Sequence, residues 1–167
     1  AMIRDVLPKH VRCVFVTQAE ALGLGHAVLC AKPVVGNEPF AVLLPDDLIW
    51  NTGRGALGQM IDLAEQEKAS VISVQEVPPE QTSSYGIVAA PNFTGRFGVI
   101  EQIVEKPKPE VAPSNLAVVG RYVLSGDIFP ILEKTRTGAG GEIQLTDAIA
   151  QLLKQDKVLA YQFEGRR

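Results

Sequence analysis

The stretch Phe40–Asp47, with the sequence FAVLLPDD, decides how the rest of the chain is interpreted. Its first five residues are apolar without polar alternation, which is typical of a strand buried on both faces in a parallel sheet. Pro45 cannot donate to a sheet ladder, so we expect the strand to end there. Asp46 and Asp47 then follow the carboxyl end of a central strand, where open α/β sheets place their ligands. These acids predict either a divalent-metal ligand for a phosphate-bearing substrate or an ordinary solvated turn.

Composition and charge exclude several classes of protein. The 167 residues are 46% hydrophobic and 21% charged, which fits one globular domain with a sizeable core. The net charge of −3 argues against non-specific nucleic-acid binding, which needs a basic face. No apolar run reaches about 18 residues, so we expect no membrane-spanning helix. The two cysteines, Cys13 and Cys30, lack metal-ligand spacing and predict buried, reduced thiols in a cytoplasmic protein.

A strand, a glycine-bearing loop and a helix are predicted near the start of the chain. Val11–Val16 is rich in β-branched residues and predicts the strand. Gly23 and Gly25 follow in a loop, and a helix then continues to Ala31. This arrangement presents the free backbone N–H groups of a helix N-terminus to a planar or anionic group. A tight strand-to-helix turn without a ligand is the alternative.

The remaining pattern predicts an α/β fold with a mixed, mostly parallel, Rossmann-like sheet flanked by helices. A helix over 56–66 and a strand over 69–74 continue the βαβ rhythm that residues 40–44 begin. Strands over 83–90 and 98–104 flank a turn and predict an antiparallel pair added to the parallel core. The last predicted elements are a strand over 116–124, a short helix capped by residues 125–127 and running to about Lys134, an amphipathic helix over 142–154 and a strand over 158–163.

Six short segments carry a resemblance to a known family. They are GLGHAV at 23–28, LPD at 44–46, YG at 85–86, VEKPK at 104–108, PSNLAVVGRY at 113–122 and GEIQLTDA at 141–148. In this order they resemble the bacterial UTP–glucose-1-phosphate uridylyltransferases, in the sugar-nucleotidyltransferase superfamily. The resemblance implies one nucleotide-diphospho-sugar transferase domain over residues 1–167. It also implies an enzyme that makes UDP-glucose and pyrophosphate from UTP and glucose 1-phosphate.

On the nucleotide side, the resemblance implies roles for three matching residues. Gln18 and the backbone of Gly23 would recognise the uracil base. Asp46 would hold Mg²⁺, the implied cofactor, against the nucleotide phosphates. The implied partners are a small-molecule nucleotide and a sugar phosphate, with neither nucleic acid nor membrane.

On the sugar side, the resemblance implies roles for four more residues. Glu105 would accept hydrogen bonds from glucose hydroxyls, which suits an ionised carboxylate because it accepts several bonds. Lys106 would neutralise the sugar phosphate, so Lys106 and Asp46 are the residues implied in catalysis. The backbones of Gly86 and Val118 would contact the hexose. In the implied reaction a sugar phosphate oxygen attacks the α-phosphorus of UTP, and the enzyme positions two polyanions and stabilises negative charge.

The adjacent Glu105 and Lys106 present a geometric difficulty. Neighbouring side chains point to opposite faces of a regular strand. A shared pocket therefore requires a bend, which the following Pro107 is expected to supply. A solvated strand edge protected by charges and proline is the alternative.

The family's pattern is only partly present. Its members begin with a strand and a Gly-rich loop that grips the triphosphate, and nothing like that loop precedes Val11. The family also continues beyond a position equivalent to Arg167 into an aspartate, the second metal ligand. We therefore expect an incomplete fold, a fragment with weak or no turnover by itself. Apolar surface left by missing strands favours self-association, so we expect a homo-oligomer.

Two alternatives stay open at this point. Glucose-1-phosphate thymidylyltransferase shares the architecture and would prefer dTTP to UTP. A non-catalytic sugar-nucleotide-binding or interaction module derived from the fold would bind UDP-glucose without turning it over.

Overall fold

The computed structural model describes residue 8 and residues 10–167. These residues form five α-helices, namely α1 (Leu24–Cys30), α2 (Lys32–Val35), α3 (Ala56–Glu67), α4 (Ile128–Leu132) and α5 (Leu145–Leu152). They also form eight strands, namely β1 (Phe40–Leu43), β2 (Ser70–Glu76), β3 (Gly86–Ala89), β4 (Phe93–Thr94), β5 (Phe97–Val99), β6 (Gln102–Glu105), β7 (Leu116–Leu124) and β8 (Val158–Gln162).

Strand β7 is the centre of one sheet to which all eight of these strands belong. The order is β4–β5–β8–β2–β7–β3–β6, and β1 also pairs with β7. The predicted mixed sheet flanked by helices is confirmed, and so is the antiparallel pair, now β3 with β6. The described pairings are not mostly parallel, however, because only β2 and β8 pair in that way. Strands β1 and β2 do run in the same direction, but β7 lies antiparallel between them.

The edge of β7 that faces away from β2 is shared by two strands. β1 pairs with the carboxyl-terminal half of β7 and ends with Leu43 opposite Arg121. β3 pairs with the amino-terminal half, with Ile87 opposite Ala117. β1 therefore ends, and β3 begins, beside the same short stretch of β7 at 118–120. We call this opening the split; ligands of α/β sheets bind in crevices of this kind.

β1 is not buried on both faces, as was predicted for residues 40–44. It ends at Leu43, before Pro45, as expected because proline has no N–H to donate to the sheet. Its burial alternates along the strand, and Leu43 is 50% exposed. The prediction of double burial was wrong because the described core packs only against the face that carries Phe40 and Val42.

The predicted strand over Val11–Val16 does not form in the described part of the chain. These residues pair with none of the eight strands, and Phe15 is 95% exposed. A strand is stabilised by bonds and side-chain pairs with a neighbour, which β propensity alone does not supply. Cys13 in this segment is exposed and Cys30 is half-buried, so the prediction of two buried thiols was also wrong.

Helices cover both faces of the sheet. The face under α1, α4 and α5 has a core that includes Val28, Ile72, Leu124, Phe129, Ile149 and Leu152. The face under α3 has a smaller core of Met60, Leu63, Val71, Val123 and Leu159. The larger core lies next to the split, so it supports the elements that surround that opening.

Helix α5 begins later than predicted, at Leu145 instead of Glu142. The residues before it are used in another way, because Ile143 bonds to the backbone around α1. The Ile143 N–H donates to the Leu22 carbonyl at 2.7 Å, and the Ile143 carbonyl accepts from the Gly25 N–H at 2.8 Å. These two bonds hold the N-terminus of α1 against the segment that leads into α5.

We expect Phe129→Ala to lower the free energy of unfolding by about 3–5 kcal/mol, because it empties a fully buried position that stacks on Phe40. Phe15→Ala removes the same ring from an exposed position, so it should change that free energy by less than about 0.5 kcal/mol. Urea denaturation followed by circular dichroism measures both values. Equal effects of the two variants would contradict this account of the core.

Candidate functional site

The split brings polar groups from several elements together on the sheet face covered by α1 and α5. On one side, Gly86 lies opposite Glu105 in the β3–β6 pair. Thr146, in the first turn of α5, donates a hydrogen bond to Glu105. On the other side, Asp47 accepts a hydrogen bond from the Gly120 N–H of β7. The polar side chains that flank the split are thus fixed by strands and by a helix, not by loops alone.

Tyr122 lies on β7 two residues after Gly120, where it pairs with Val42 of β1. Burial raises the pKa of its phenol, and the carboxylates of Glu105 and Asp47 raise that pKa further. On β7, Gly120 bonds to Asp47, and Val118, two residues earlier, lies opposite Gly86 when the β3–β7 register is continued by one residue, so the two sides of the split are adjacent along this strand. They therefore form one candidate site.

The two acids that follow β1 have different environments. Asp47 is buried, and its Oδ2 accepts from the Gly120 N–H at 2.7 Å. Its Oδ1 pairs with the Arg167 guanidinium. Asp46 is exposed, and its carboxylate forms no hydrogen bond or ion pair with any residue that the structure describes. The turn therefore presents one free carboxylate and uses the other to hold itself in place.

The turn after β1 is also held through its backbone. The Leu44 N–H donates to the Gly120 carbonyl at 2.9 Å. Arg121 donates to the Leu44 carbonyl at 2.9 Å and to the Asp47 carbonyl. Glycine is required at position 120, because a Cβ there would lie 2.6 Å from Asp47 Oδ2. These contacts fix the backbone on both sides of Asp46.

Glu105 is held at the end of β6 with one carboxylate oxygen already bonded. Thr146 Oγ1 donates to Glu105 Oε2 at 2.7 Å, and Lys106 Nζ lies 3.7 Å from Oε1. The Glu105 side chain is 13% exposed, whereas that of Lys106 is 56% exposed. The pair therefore presents a fixed acceptor and an accessible cation next to each other.

The bend that this pair requires occurs at Lys106 itself, not at Pro107. The φ angle of Lys106 is 45°, in the left-handed region that residues other than glycine rarely adopt. The Lys106 N–H donates to the Tyr85 carbonyl at 3.0 Å, which holds the bend. Backbone strain of this kind costs about 1–3 kcal/mol and is concentrated at functional sites.

Gln18 folds back onto the N-terminus of α1. Its Nε2 donates to the Gly23 carbonyl at 3.1 Å and lies 3.0 Å from His26 Nδ1. Gly23 has a φ of 94°, and a Cβ there would lie 2.7 Å from the Cβ of Glu142. Gln18 and Gly23 therefore form one unit beside the segment that leads into α5.

The seven predicted site residues fall into three groups in the structure. The groups are Gln18 with Gly23, Asp46 alone, and Gly86 with Glu105, Lys106 and Val118. Val118 belongs to the last group because the register of β3 on β7, continued by one residue, places Gly86 opposite Val118. Backbone groups of alternate strand residues point to the same side, so Val118 and Gly120 both direct theirs towards the split.

Sequence reasoning missed several residues that hold this site. It gave no role to Thr146, Tyr122 or Arg121. Thr146 left a detectable signal, because it is a polar residue in the apolar stripe of an amphipathic helix and is buried. Arg121 and Tyr122 left none, since strands commonly contain both residue types.

One carboxylate is available for a metal at this site. Within the described residues, no group of three His, Cys, Asp or Glu side chains is placed to hold a metal ion. Mg²⁺ retains several waters and is commonly held by one or two carboxylates together with substrate phosphates. The exposed and unpaired Asp46 fits that requirement, whereas Asp47 is already bonded.

Comparison with known proteins identifies the family of the chain. The sequence matches the nucleotidyl transferase family over residues 3–166, and the chain belongs to that family. It is 49% identical, over 154 residues, to a UTP–glucose-1-phosphate uridylyltransferase of Pseudomonas aeruginosa. That match covers 92% of this chain and 55% of the relative, so the chain spans about half the length of that protein.

Solved structures give the same result. The chain is similar to a UDP-glucose pyrophosphorylase complexed with UDP-glucose, with a TM-score of 0.87 and 44% identity over 90% of this chain and 57% of that one. A glucose-1-phosphate thymidylyltransferase from Bacillus anthracis is more distant, with a TM-score of 0.69 and 23% identity over 89% and 56% of the two chains. The second similarity shows the fold alone. The predicted family and the α/β fold with a mixed sheet flanked by helices are therefore confirmed.

The lengths of the helices also test whether the chain could span a membrane. None of the helices in the described part of the chain is long and apolar enough to span a bilayer. The cytoplasmic location and the homo-oligomer stay predictions.

We expect Asp47→Ala to lower the free energy of unfolding by about 1.5–3 kcal/mol, because it removes a buried acceptor from the Gly120 N–H and from Arg167. Asp46→Ala is the matched control and should change that free energy by less than about 0.5 kcal/mol, since its carboxylate is exposed and unpaired. Urea denaturation measures both. If Asp46→Ala were the more destabilising variant, the division of roles between the two acids would be wrong.

Proposed function

We propose that this chain carries the sugar-nucleotide side of a UTP–glucose-1-phosphate uridylyltransferase site. The observation that carries this proposal is the Glu105 carboxylate, held by Thr146 and next to the bent Lys106 at the split. The similarity to a uridylyltransferase at 49% identity, and to a pyrophosphorylase complexed with UDP-glucose, supports this choice of nucleotide and sugar.

Glu105 has the properties that recognition of a sugar requires. Thr146 occupies Oε2, so Oε1 is left to accept from glucose hydroxyls. Because the carboxylate is mostly buried and fixed before binding, little ordering is needed when a sugar arrives. Gly86 opposite Glu105 has no side chain, so a hexose can lie against its backbone, and Val118 contributes backbone from β7.

Lys106 is suited to the phosphate of the sugar. Its ammonium is more than half exposed, and its single ion pair in the described chain is the 3.7 Å contact with Glu105. A compact cation at the pocket wall would neutralise the attacking phosphate and stabilise the negative charge that develops during transfer. With this bent backbone, its ammonium lies 3.7 Å from Glu105 Oε1.

Gln18 and Gly23 are suited to the base. Their shared hydrogen bond fixes the Gln18 amide against the N-terminus of α1. The Gly23 N–H donates to no group of the described chain, so it is available to a base carbonyl. An amide and a backbone N–H next to each other can recognise the hydrogen-bonding edge of a pyrimidine.

Asp46 is the residue that would hold Mg²⁺. When bound, the ion would neutralise phosphate charge and polarise a phosphoryl oxygen. The turn held by Asp47 and Arg121 fixes the backbone on both sides of Asp46 before any ion arrives, which reduces the backbone ordering needed on binding. The exposed position leaves room for the waters and phosphates that complete the coordination of this ion.

These residues together would position the reactants for an in-line displacement. A phosphate oxygen of glucose 1-phosphate would attack the α-phosphorus of UTP, and pyrophosphate would leave. The described side chains supply orientation through Glu105 and Gln18 and charge stabilisation through Lys106, with no covalent protein intermediate. The thymidylyltransferase similarity shows the fold alone, so it does not favour thymidine over uridine.

We expect calorimetric titration to show UDP-glucose binding that weakens about 10-fold or more in Glu105→Ala and in Lys106→Ala, because each loses a charged hydrogen-bonding group. Lys108→Ala and Glu101→Ala are matched controls, since both side chains are exposed near the same strand and should leave binding unchanged. Mg²⁺ should strengthen binding in the parent chain and not in Asp46→Asn.

Each result of this titration has a defined meaning. Loss of binding in the two site variants but not in the controls would support the proposal. Binding that is equally strong in all variants would contradict it. Binding without pyrophosphate exchange would favour the non-catalytic binding module.

A further inference from the structure

The amide of Gln18 has a fixed orientation that follows from its two partners. Its Nε2 lies 3.1 Å from the Gly23 carbonyl oxygen, which can only accept a hydrogen bond. The amide nitrogen must therefore face Gly23, and the amide oxygen must face away. The same nitrogen lies 3.0 Å from His26 Nδ1, so its second N–H is directed at the imidazole.

This second contact determines the form of His26. Because the amide nitrogen of Gln18 is a donor, His26 Nδ1 must accept and carries no proton. The ring proton of the neutral imidazole is then on Nε2. His26 Nε2 lies 3.9 Å from Cys30 Sγ, one helical turn further along, where the sulfur is a weak acceptor. Both ring nitrogens of His26 therefore have a partner that matches the same tautomer.

The consequence is a defined pair of free groups at the N-terminus of α1. Both N–H groups of the Gln18 amide are engaged, and no described residue donates to its Oε1. The neighbouring Gly23 N–H is also without an acceptor in the described chain. The unit therefore presents one acceptor, Gln18 Oε1, and one donor, the Gly23 N–H. A ligand that fits must present a donor next to an acceptor.

We propose that His26 is a positioning residue that sets the base preference of this site by fixing the Gln18 amide. Uracil carries a donor at N3 next to a carbonyl acceptor, which matches Gln18 Oε1 and the Gly23 N–H. Cytosine in the same pose presents the lone pair of N3 to Oε1, so two acceptors face each other. This inference rests on the proposed function, in which Gln18 and Gly23 face the base.

The histidine matters because a free amide would have two orientations. Without an acceptor at the Nδ1 position, one of the two bonds that oppose rotation of the amide is lost. An amide that turns round offers N–H groups, which suit cytosine N3. Loss of His26 should therefore reduce discrimination between uridine and cytidine nucleotides more than it reduces protein stability.

The tautomer can be measured first, without any ligand. Long-range proton–nitrogen correlation spectra of the ¹⁵N-labelled chain distinguish the two neutral forms of each histidine. We expect His26 in the Nε2–H form, while the exposed His10 serves as the reference within the same molecule. If His26 were in the Nδ1–H form, the inference would be overturned, whatever the chain binds.

Calorimetry with UDP-glucose and CDP-glucose measures the preference. We expect the parent chain to prefer UDP-glucose, and His26→Leu to reduce that preference by about 3- to 10-fold, the effect of one hydrogen bond. His26→Asn should keep most of the preference, because its side-chain oxygen lies near the Nδ1 position and can accept. His10→Leu, the matched control, should leave the preference unchanged.

The outcomes separate this inference from the proposed function. A parent chain that binds no UDP-glucose would contradict the proposed function and, with it, the base preference. A parent chain that binds UDP-glucose and loses no preference in His26→Leu would overturn the inference alone. If His26→Leu fails to fold, the tautomer of the parent chain and the preference of His26→Asn still decide the question.

Discussion

The hydrogen bond from the Gly120 N–H to the buried Asp47 carboxylate is the contact on which the rest of the site depends. β1 stops at Leu43, so β7 would lose its partner at this point. The Leu44 N–H still donates to the Gly120 carbonyl, but the Leu44 carbonyl accepts from Arg121. The Asp47 carboxylate therefore accepts from the Gly120 N–H in place of the Leu44 carbonyl. A buried N–H without an acceptor would be costly. The sheet can therefore open here without leaving the Gly120 backbone groups unpaired.

The same arrangement recurs at each part of the site. One group is bonded inside the protein, and a neighbouring group is left free on the backbone or side chain that this bond fixes. Asp47 is bonded while Asp46 is free, and Thr146 occupies one oxygen of Glu105 while the other faces Lys106. His26 and Gly23 both accept hydrogen bonds from the amide nitrogen of Gln18, and the amide oxygen is left free to accept one from a ligand. Groups that are oriented before the ligand arrives bind it with less loss of entropy.

The sequence predicted the elements of this fold better than it predicted their neighbours. The strand before Pro45, the helix at 56–67 and the final strand follow from local pattern and proline chemistry. The pairing of β7 between β1 and β2 does not, because strand order is set by contacts between distant residues. Val11–Val16 has the composition of a strand, yet no described strand lies beside it. Local propensity cannot supply a partner.

In the site, too, local features were predicted from the sequence and those that depend on distant contacts were not. Glu105 and Lys106 were predicted from a resemblance, and the need for a bend followed from strand geometry. The position of the bend at Lys106 could not be predicted from the sequence, because the left-handed backbone of this lysine depends on its hydrogen bond to the Tyr85 carbonyl. Thr146, Arg121 and Asp47 act through partners that lie far away in the sequence. Their roles appear only when the chain is folded.

The most direct test is a crystal structure of this chain with UDP-glucose. The account predicts the glucosyl unit in the split between β1 and β3, with its hydroxyls within hydrogen-bonding distance of Glu105 Oε1. The uracil should lie against Gln18 and Gly23. A ligand bound elsewhere, for example in the cavity of about 570 Å³ that Phe40, Val123 and Lys157 line, would contradict it. So would a sugar in the split that leaves Glu105 without a contact.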